Sequence, residues 1–342
     1  MSSKLKIGIA GYGIVGKRRR QFIDSNSYAQ VIAVCDRKFE KSGQMEDGTY
    51  FFANLQSMIN EVKLDAVFVC LTNDIAPKAT IYCLENGIHV FCEKPPGRTV
   101  EDVEQVILTE KKFPKLKLMY GFNHRYHESV KEALKIVKEK SLGEIINMRG
   151  IYGKSKILSF ESDWRTKREI AGGGILLDQG IHMLDLMRLF AGEFTKIYSF
   201  VHNYFWQHDV EDNAYSLMKT DNNIVAMLHS SATQWRHKFQ LEVTLQKGQL
   251  ILSGILSGTK SYGAETLTIV YPHENDCGDP KEVTIRYNND PSWNDEVSDF
   301  IKCILTDCPI SSGSSEEALK TMQLVYNIYS SDSKWKEKYS IF

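Results

Sequence analysis

No apolar run in this 342-residue chain reaches the roughly 18 positions that a membrane helix needs. No block of like charge stands out either. Lys and Arg total 42 against 43 Asp and Glu, a net charge of −1, so nothing predicts a general attraction to nucleic acid or anionic lipid. Cysteine offers no framework. Cys35, Cys70, Cys83, Cys92, Cys277, Cys303 and Cys308 are odd in number and contain no CxxC pair, which argues against disulfide scaffolding and structural zinc. HxxxH and HExxH metal patterns are missing as well, so no metal is expected. Repeats, low-complexity tracts and long linkers are not found. The opening MSSKLKIGIAGYG enters a strand pattern at once, without signal-peptide architecture. Together with buried-looking reduced thiols at Cys35, Cys70 and Cys92, this predicts a cytoplasmic protein.

What is present is an ordinary globular balance, 42% hydrophobic and 25% charged, in a length that suggests two domains. The first 120 residues alternate apolar strand-like runs with helical patterns. KIGIAG (6–11), VIAVCD (31–36), DAVFVCL (65–71), HVFCEK (89–94) and KLMYGF (117–122) read as strands. Between them, 15–25, 76–86 and 99–112 read as helices, with Gly87 closing the second and Thr99 with Asp102 opening the third. Strands that are apolar throughout predict a parallel sheet covered on both faces.

Between the first strand and the first helix stand Gly11, Gly13 and Gly16. Strand, GxGxxG, helix is the context of a dinucleotide-binding turn. Gly11 would permit the tight turn, Gly13 the approach of a pyrophosphate, and Gly16 close packing of helix on strand. Ile14 and Val15 fill the motif at the helix N-terminus, where the dipole favours phosphate. Asp36 ends the second strand about 20 residues on, where a carboxylate accepts hydrogen bonds from the adenosine ribose. Asp36 favours NAD, while Arg37 beside it keeps NADP open, because an arginine there can hold a 2′-phosphate. The basic run Lys17–Arg20 is read as a solvated helix face.

Two further stretches carry chemistry. CEKPPG (92–97) falls at the C-terminal end of a parallel strand, the edge where ligands bind. Lys94 there is a candidate to stabilise a developing alkoxide or shuttle a proton. AGGGILLDQGIHMLDL (171–186) sets Asp178, His182 and Asp185 at spacings that share one side of a helix. Polar groups on an otherwise apolar helix need a reason. The glycines at 172–174 suggest that backbone comes close to a ligand or to the other domain. DWRTKRE (163–169) precedes them, and its arginines suit a bidentate anion contact or a solvated loop equally. Trp164, Arg165, Arg168, Trp206, His208 and His237 are further candidate contacts.

Taken in order, GxGxxG, Glu93-Lys94-Pro95 and the GGG-to-HxxD tract at 172–185 resemble the glucose–fructose oxidoreductase, inositol dehydrogenase and MocA-like family across essentially the whole chain. The resemblance implies an α/β fold: an N-terminal Rossmann doubly wound parallel sheet, then an α+β domain with a large open, mostly antiparallel sheet. It implies NAD(P)-dependent chemistry on sugars or other polyols. By motif, Lys94 matches a lysine contacting substrate and nicotinamide, Asp178 a substrate-binding carboxylate, and His182 the acid/base. Asn123 and Arg125, in GFNHRY, match the link between domains that approaches the substrate. With Trp164 and Arg165 they complete the expected substrate set. Leu71, Thr72, Asn73 and Glu93 join the expected cofactor contacts. In LTNDIAP (71–77), Thr72 stands where the family commonly has Pro, and Ala76 where it commonly has His.

From residue 144 onward the strands alternate, with hairpin turns expected at 221–223 and at Lys247-Gly248. Closing helices are expected at 294–305 and 315–329. The expected division is residues 1–122 for the cofactor and 123–342 for substrate binding and oligomerisation. An outer face bearing Tyr198, Phe200, Tyr215 and Leu217 would let subunits pair through the open sheet, and the resemblance implies a homodimer or homotetramer. The resulting expectation is hydride transfer between nicotinamide and a hydroxyl of a sugar, polyol or nucleotide-linked sugar. The alternatives are reduction of a keto, imine or enone substrate, and a non-catalytic cofactor-binding regulator.

Overall fold

The computed structural model describes residues 4–156, 164–257, 261–273 and 278–341. The chain divides into two compact units, Met1–Asn123 with Trp293–Lys320, and His124–Ser292 with Thr321–Phe342.

The first unit contains β1 (Leu5–Ala10), α1 (Ile14–Ser25), β2 (Ala29–Cys35), β3 (Gly43–Gln44), β4 (Tyr50–Phe52), α2 (Leu55–Glu61), β5 (Ala66–Val69), α3 (Ala76–Glu85), β6 (His89–Glu93), α4 (Val100–Glu110) and β7 (Leu118–Gly121). Its seven strands run in the order β3-β4-β2-β1-β5-β6-β7, and every pair but β3/β4 is parallel. The chain leaves β1 toward β2 and returns to its other side at β5. The crevice beyond the carboxyl ends of β1 and β5 is therefore the switch point where such sheets bind ligands. Local signals account for the ends. Thr99 Oγ1 accepts from the Asp102 backbone N–H, the Asp102 carboxylate accepts from the Thr99 N–H, and Gly87 adopts φ +75° after α3. The short strands β3 and β4 carry too little periodicity to announce themselves in sequence.

Two readings of this unit are corrected. Residues 293–320, expected in the second domain, group with the first unit. Their helix lays Phe300 edge-on against Phe68 and Phe91, which stack on each other at 4.7 Å. The basic run is not uniformly solvated. Arg19 is fully buried, with its Nε 2.6 Å from Glu93 and an Nη 2.7 Å from Glu296. Arg20 is half-buried among Tyr12, Asp24, Asp47 and Thr49.

In the second unit, α5 (Glu128–Glu139), β8 (Ile145–Gly153), α6 (Arg168–Ala171) and α7 (Ile181–Ala191) precede β9 (Phe194–His202), β10 (Asn213–Thr220), β11 (Val225–Ser231), β12 (Lys238–Leu245), β13 (Gly248–Ser253), β14 (Glu265–Tyr271) and β15 (Lys281–Tyr287). The sheet order is β15-β14-β13-β12-β8-β11-β10-β9, antiparallel except for β8/β11. Alternation assigns its faces. Val201, Ala214, Met218, Ala226 and Leu228 are buried, whereas Tyr198, Phe200, Tyr215, Leu217 and Met227 are exposed. Helix α7 lies against β8, where a Cβ on Gly150 would meet Met187 at 2.5 Å. The pairing of Leu245 with Gly248 makes Gln246-Lys247 the two-residue turn, one position before the expected one. Three helices close the chain: α8 (Ser292–Thr306), α9 (Ser315–Ser331) and the unanticipated α10 (Ser333–Tyr339). Ser314 caps α9, its Oγ accepting from the Glu317 N–H.

Candidate cofactor and substrate sites

In the first unit the three glycines meet three different physical demands. Gly11 sits at φ +92°, and a Cβ there would lie 2.3 Å from the carbonyl oxygen of Cys70. A Cβ on Gly16 would lie 2.1 Å from the Gly11 carbonyl oxygen. These two residues let helix, turn and β5 close up. Gly13 has nothing within 4 Å of its Cβ position, so the backbone is bare toward open space. It caps α1, whose first turn has no acidic residue and no side-chain cap. Ile14 is exposed and Val15 half-buried. Asp36 is held against this turn: one carboxylate oxygen accepts from the Tyr12 N–H at 2.9 Å and the other from the Lys38 N–H at 3.0 Å. Each oxygen keeps lone-pair capacity for a ribose hydroxyl. A dinucleotide therefore fits: bare main chain for the diphosphate, a helix N-terminus behind it, and a positioned carboxylate.

Along the same sheet edge, Leu71 is half-buried, Thr72 donates to Asp74 at 2.6 Å, and Asn73 is buried. Glu93, expected to contact cofactor, pairs with Arg19. Lys94 is half-buried directly after β6, and its peptide bond to Pro95 is cis. Arg37 is exposed.

The second unit assembles a different site. Residues 176–180 form one π turn before α7 begins, so Asp178 does not continue the α-helical face that carries His182 and Asp185. The Asp178 carboxylate lies 3.2 Å from Lys154 Nζ and 3.3 Å from Arg165 Nε, and the Arg165 guanidinium rests on the Trp164 ring at 4.4 Å. Gln179 donates to the Tyr262 hydroxyl. His182 is buried and stacks on His124, with centroids 3.8 Å apart and planes 15° apart. His124 Nε2 in turn meets the Tyr152 hydroxyl at 3.0 Å. Burial raises the Tyr152 phenol above its ordinary value and pushes Tyr262 up to about 12, so both are hydroxyl donors at neutral pH. His237 bridges Ser155 and Ser261, and its pKa is lowered by burial and by the charge of Lys154.

Several expected residues make contacts that hold the fold. Arg125 forms a buried bidentate pair with Asp185, Nε–Oδ2 2.7 Å and Nη2–Oδ1 2.6 Å, so its fork is committed to tying the 123–126 turn to α7. Asn123 is buried in that turn. Gly173 and Gly174 press against groups of their own unit. A Cβ on Gly173 would meet the Tyr329 hydroxyl at 2.3 Å, and one on Gly174 the Glu211 carbonyl at 2.1 Å. Glu211, fully buried, binds the N–H groups of Gly174 and Leu176 and the Tyr329 hydroxyl. Arg168 lies over the Tyr339 ring, and Trp206 packs on Ile175, Val210 and Ala232, with His208 stacked on it. Asp163, from the DWRTKRE segment, lies outside the described residues. The sequence reading missed Lys154, His124, Tyr152, Gln179 and Tyr262. Of these, Gln179 and His124 adjoin motif residues, but nothing local marks the others.

A parallel sheet with a bare glycine turn, followed by a largely antiparallel domain, defines a two-unit architecture built on a dinucleotide-binding Rossmann sheet. Residues 5–122 match the oxidoreductase family with an NAD-binding Rossmann fold, and residues 130–251 match the GFO/IDH/MocA C-terminal domain. The chain belongs to the GFO/IDH/MocA family. It is 31% identical over 195 residues to D-glucoside 3-dehydrogenase of Escherichia coli K12, covering 54% of this chain and 53% of that protein. It is 31% identical over 144 residues to levoglucosan dehydrogenase of Pseudarthrobacter phenanthrenivorans, covering 42% and 37%. These matches span about half or less of the relatives' length. A solved levoglucosan dehydrogenase in complex with NADH and levoglucosan has the same fold, with TM-score 0.83 at 19% identity over 97% of this chain and 98% of that one.

Proposed function

We propose that the protein oxidises a ring hydroxyl of a sugar, polyol or sugar conjugate, with NAD as hydride acceptor. The observation that carries this is the polar wall of the second unit. Lys154, Asp178, Arg165, Gln179, Tyr152 and Tyr262 offer both hydrogen-bond donors and acceptors at close spacing, the chemistry that orients a ligand rich in hydroxyls. The names of the relatives, dehydrogenases of a D-glucoside, of levoglucosan and of myo-inositol, support the same substrate class.

Bound NAD supplies the hydride acceptor, and the chain's own groups manage the proton and the charge. His182 takes the hydroxyl proton, its ring held in plane by the His124 stack. Lys94 stabilises the oxygen as it gains alkoxide character. Asp178, held by Lys154 and Arg165, accepts from a neighbouring substrate hydroxyl. Asp36 favours NAD, and exposed Arg37 keeps NADP use within reach.

Initial rates test this. NAD or NADP with a panel of sugars, glycosides and inositols should yield reduced nicotinamide, fastest with NAD. Turnover seen only with NADH or NADPH and a keto, imine or enone panel would reverse the direction. A thermal shift with NAD but no turnover on either panel would leave a cofactor-binding regulator; at a hundredfold excess over Kd that shift corresponds to about 2.7 kcal/mol.

The exposed face of the large sheet supports a second proposal, that two copies pair through it. Tyr198 and Phe200 are 74% and 76% exposed beside Tyr215, Leu217 and Met227, a contiguous apolar patch of the kind that marks an interface. Light scattering should show a dimer or tetramer, and Tyr198→Lys with Phe200→Lys should shift it to monomer. An unchanged mass for the double variant would refute the pairing.

A further inference from the structure

At the end of α8, Cys303 and Cys308 bring their sulfurs to 3.1 Å. That is inside ordinary nonbonded contact, about 3.5–4.0 Å between heavy atoms, and about 1 Å longer than a disulfide bond. The two thiols are unlike. Cys303 is 2% exposed and donates to the Pro309 carbonyl at 3.5 Å, whereas Cys308 is half-buried in the turn that follows the helix.

We propose that Cys308 is a site of reversible modification by low-molecular-weight disulfides of the glutathione class, with Cys303 as the resolving thiol. The Cys308 thiolate attacks one sulfur of the small disulfide, whose S–S bond breaks, and one thiolate departs with the electron pair. Cys303 then gives up its proton and attacks the Cys308 sulfur, releasing the second small thiolate. Both released thiolates take up protons. Two protein thiols are oxidised by two electrons, and the small disulfide is reduced to two thiols.

The environment supports this order of events. The Thr306 hydroxyl, then Cys303 and the charge of Lys302, lower the pKa of Cys308, which favours the attacking thiolate. Burial pushes Cys303 up to about 12, and contact with Cys308 adds to this, so it stays a thiol until its partner is oxidised. Burial also raises Cys35, Cys70, Cys83 and Cys92, which discourages attack by any of them. Cys277 lies outside the described residues and is removed in the test.

The test uses the full chain carrying Cys277→Ser, treated with oxidised glutathione, quenched in acid and mapped by peptide mass. The expected product is about 2 Da lighter, with Cys303 joined to Cys308. Adding Cys303→Ser should leave a stable glutathione adduct on Cys308, and adding Cys308→Ser should abolish both products. Should Cys303→Ser fold poorly, alkylation of the folded Cys277→Ser protein by iodoacetamide near pH 7 decides instead. Cys308 should then react at least tenfold faster than any other thiol. A protein that stays fully reduced, adducts mapping to another cysteine, or equal alkylation rates would each overturn the proposal.

Discussion

Replacing His182 by alanine is expected to lower kcat by roughly 10²–10⁴-fold, the usual worth of a positioned acid/base, while NADH still binds. The cofactor groups Gly13 and Asp36 belong to the first unit and His182 to the second, so a fluorescence titration with NADH should be unchanged. The imidazole is placed by its stack on His124, which Tyr152 holds by hydrogen bond. His182→Gln keeps a polar side chain of similar reach but no titratable ring, and should lose a similar factor. The loss should appear in kcat and kcat/KM together, because proton transfer is made only in the transition state. Steady-state kinetics on the best substrate of the panel checks this. Wild-type kcat in His182→Ala would remove the imidazole from the mechanism.

Arg19→Met is expected to cost about 3–5 kcal/mol of stability, the usual price of breaking a buried ion pair from one side. Arg19 is fully buried, touches Glu93 and Glu296, and lies over the rings of Phe91 and Trp293 at 4.4 and 4.2 Å. Burial alone would lower its pKa. The two carboxylates outweigh that and hold it above the ordinary arginine value. Without the cation, two carboxylates are left without their counter-charge, a penalty that needs them ionised. The deficit against wild type should therefore be largest at neutrality and smaller in acid. Urea unfolding at both pH values measures it, and adding Glu296→Gln should recover part of the loss. A deficit under 1 kcal/mol at neutral pH would show that these charges contribute little. Arg19 also bears on function, since Glu93 immediately precedes Lys94.

The cofactor half of the site was readable because its requirements are local. A turn at φ +92°, a Gly16 whose added Cβ would fall 2.1 Å from the Gly11 carbonyl oxygen, and a bare Gly13 involve residues at most a few positions apart. Asp36 follows from strand length, which sets where β2 ends. The alternating strands of the second unit were equally plain, because each residue's face is set by its neighbours. The substrate half was only partly readable. Asp178 and His182 stand out as polar groups in an apolar tract, but Tyr152 and Lys154 join them from the end of β8 and Tyr262 from a segment more than 100 residues further on. The bond of Arg125 to Asp185, 60 positions away, likewise leaves no local trace.

By itself, then, the sequence determined the main strands and helices, the glycine turn with its carboxylate, and the inward and outward faces of the large sheet, because periodicity and backbone sterics act over a few residues. Tertiary structure decided which charges are structural. Arg19 became a buried cation and Glu211 took the glycine run, since burial and pairing depend on segments that only the folded chain brings together.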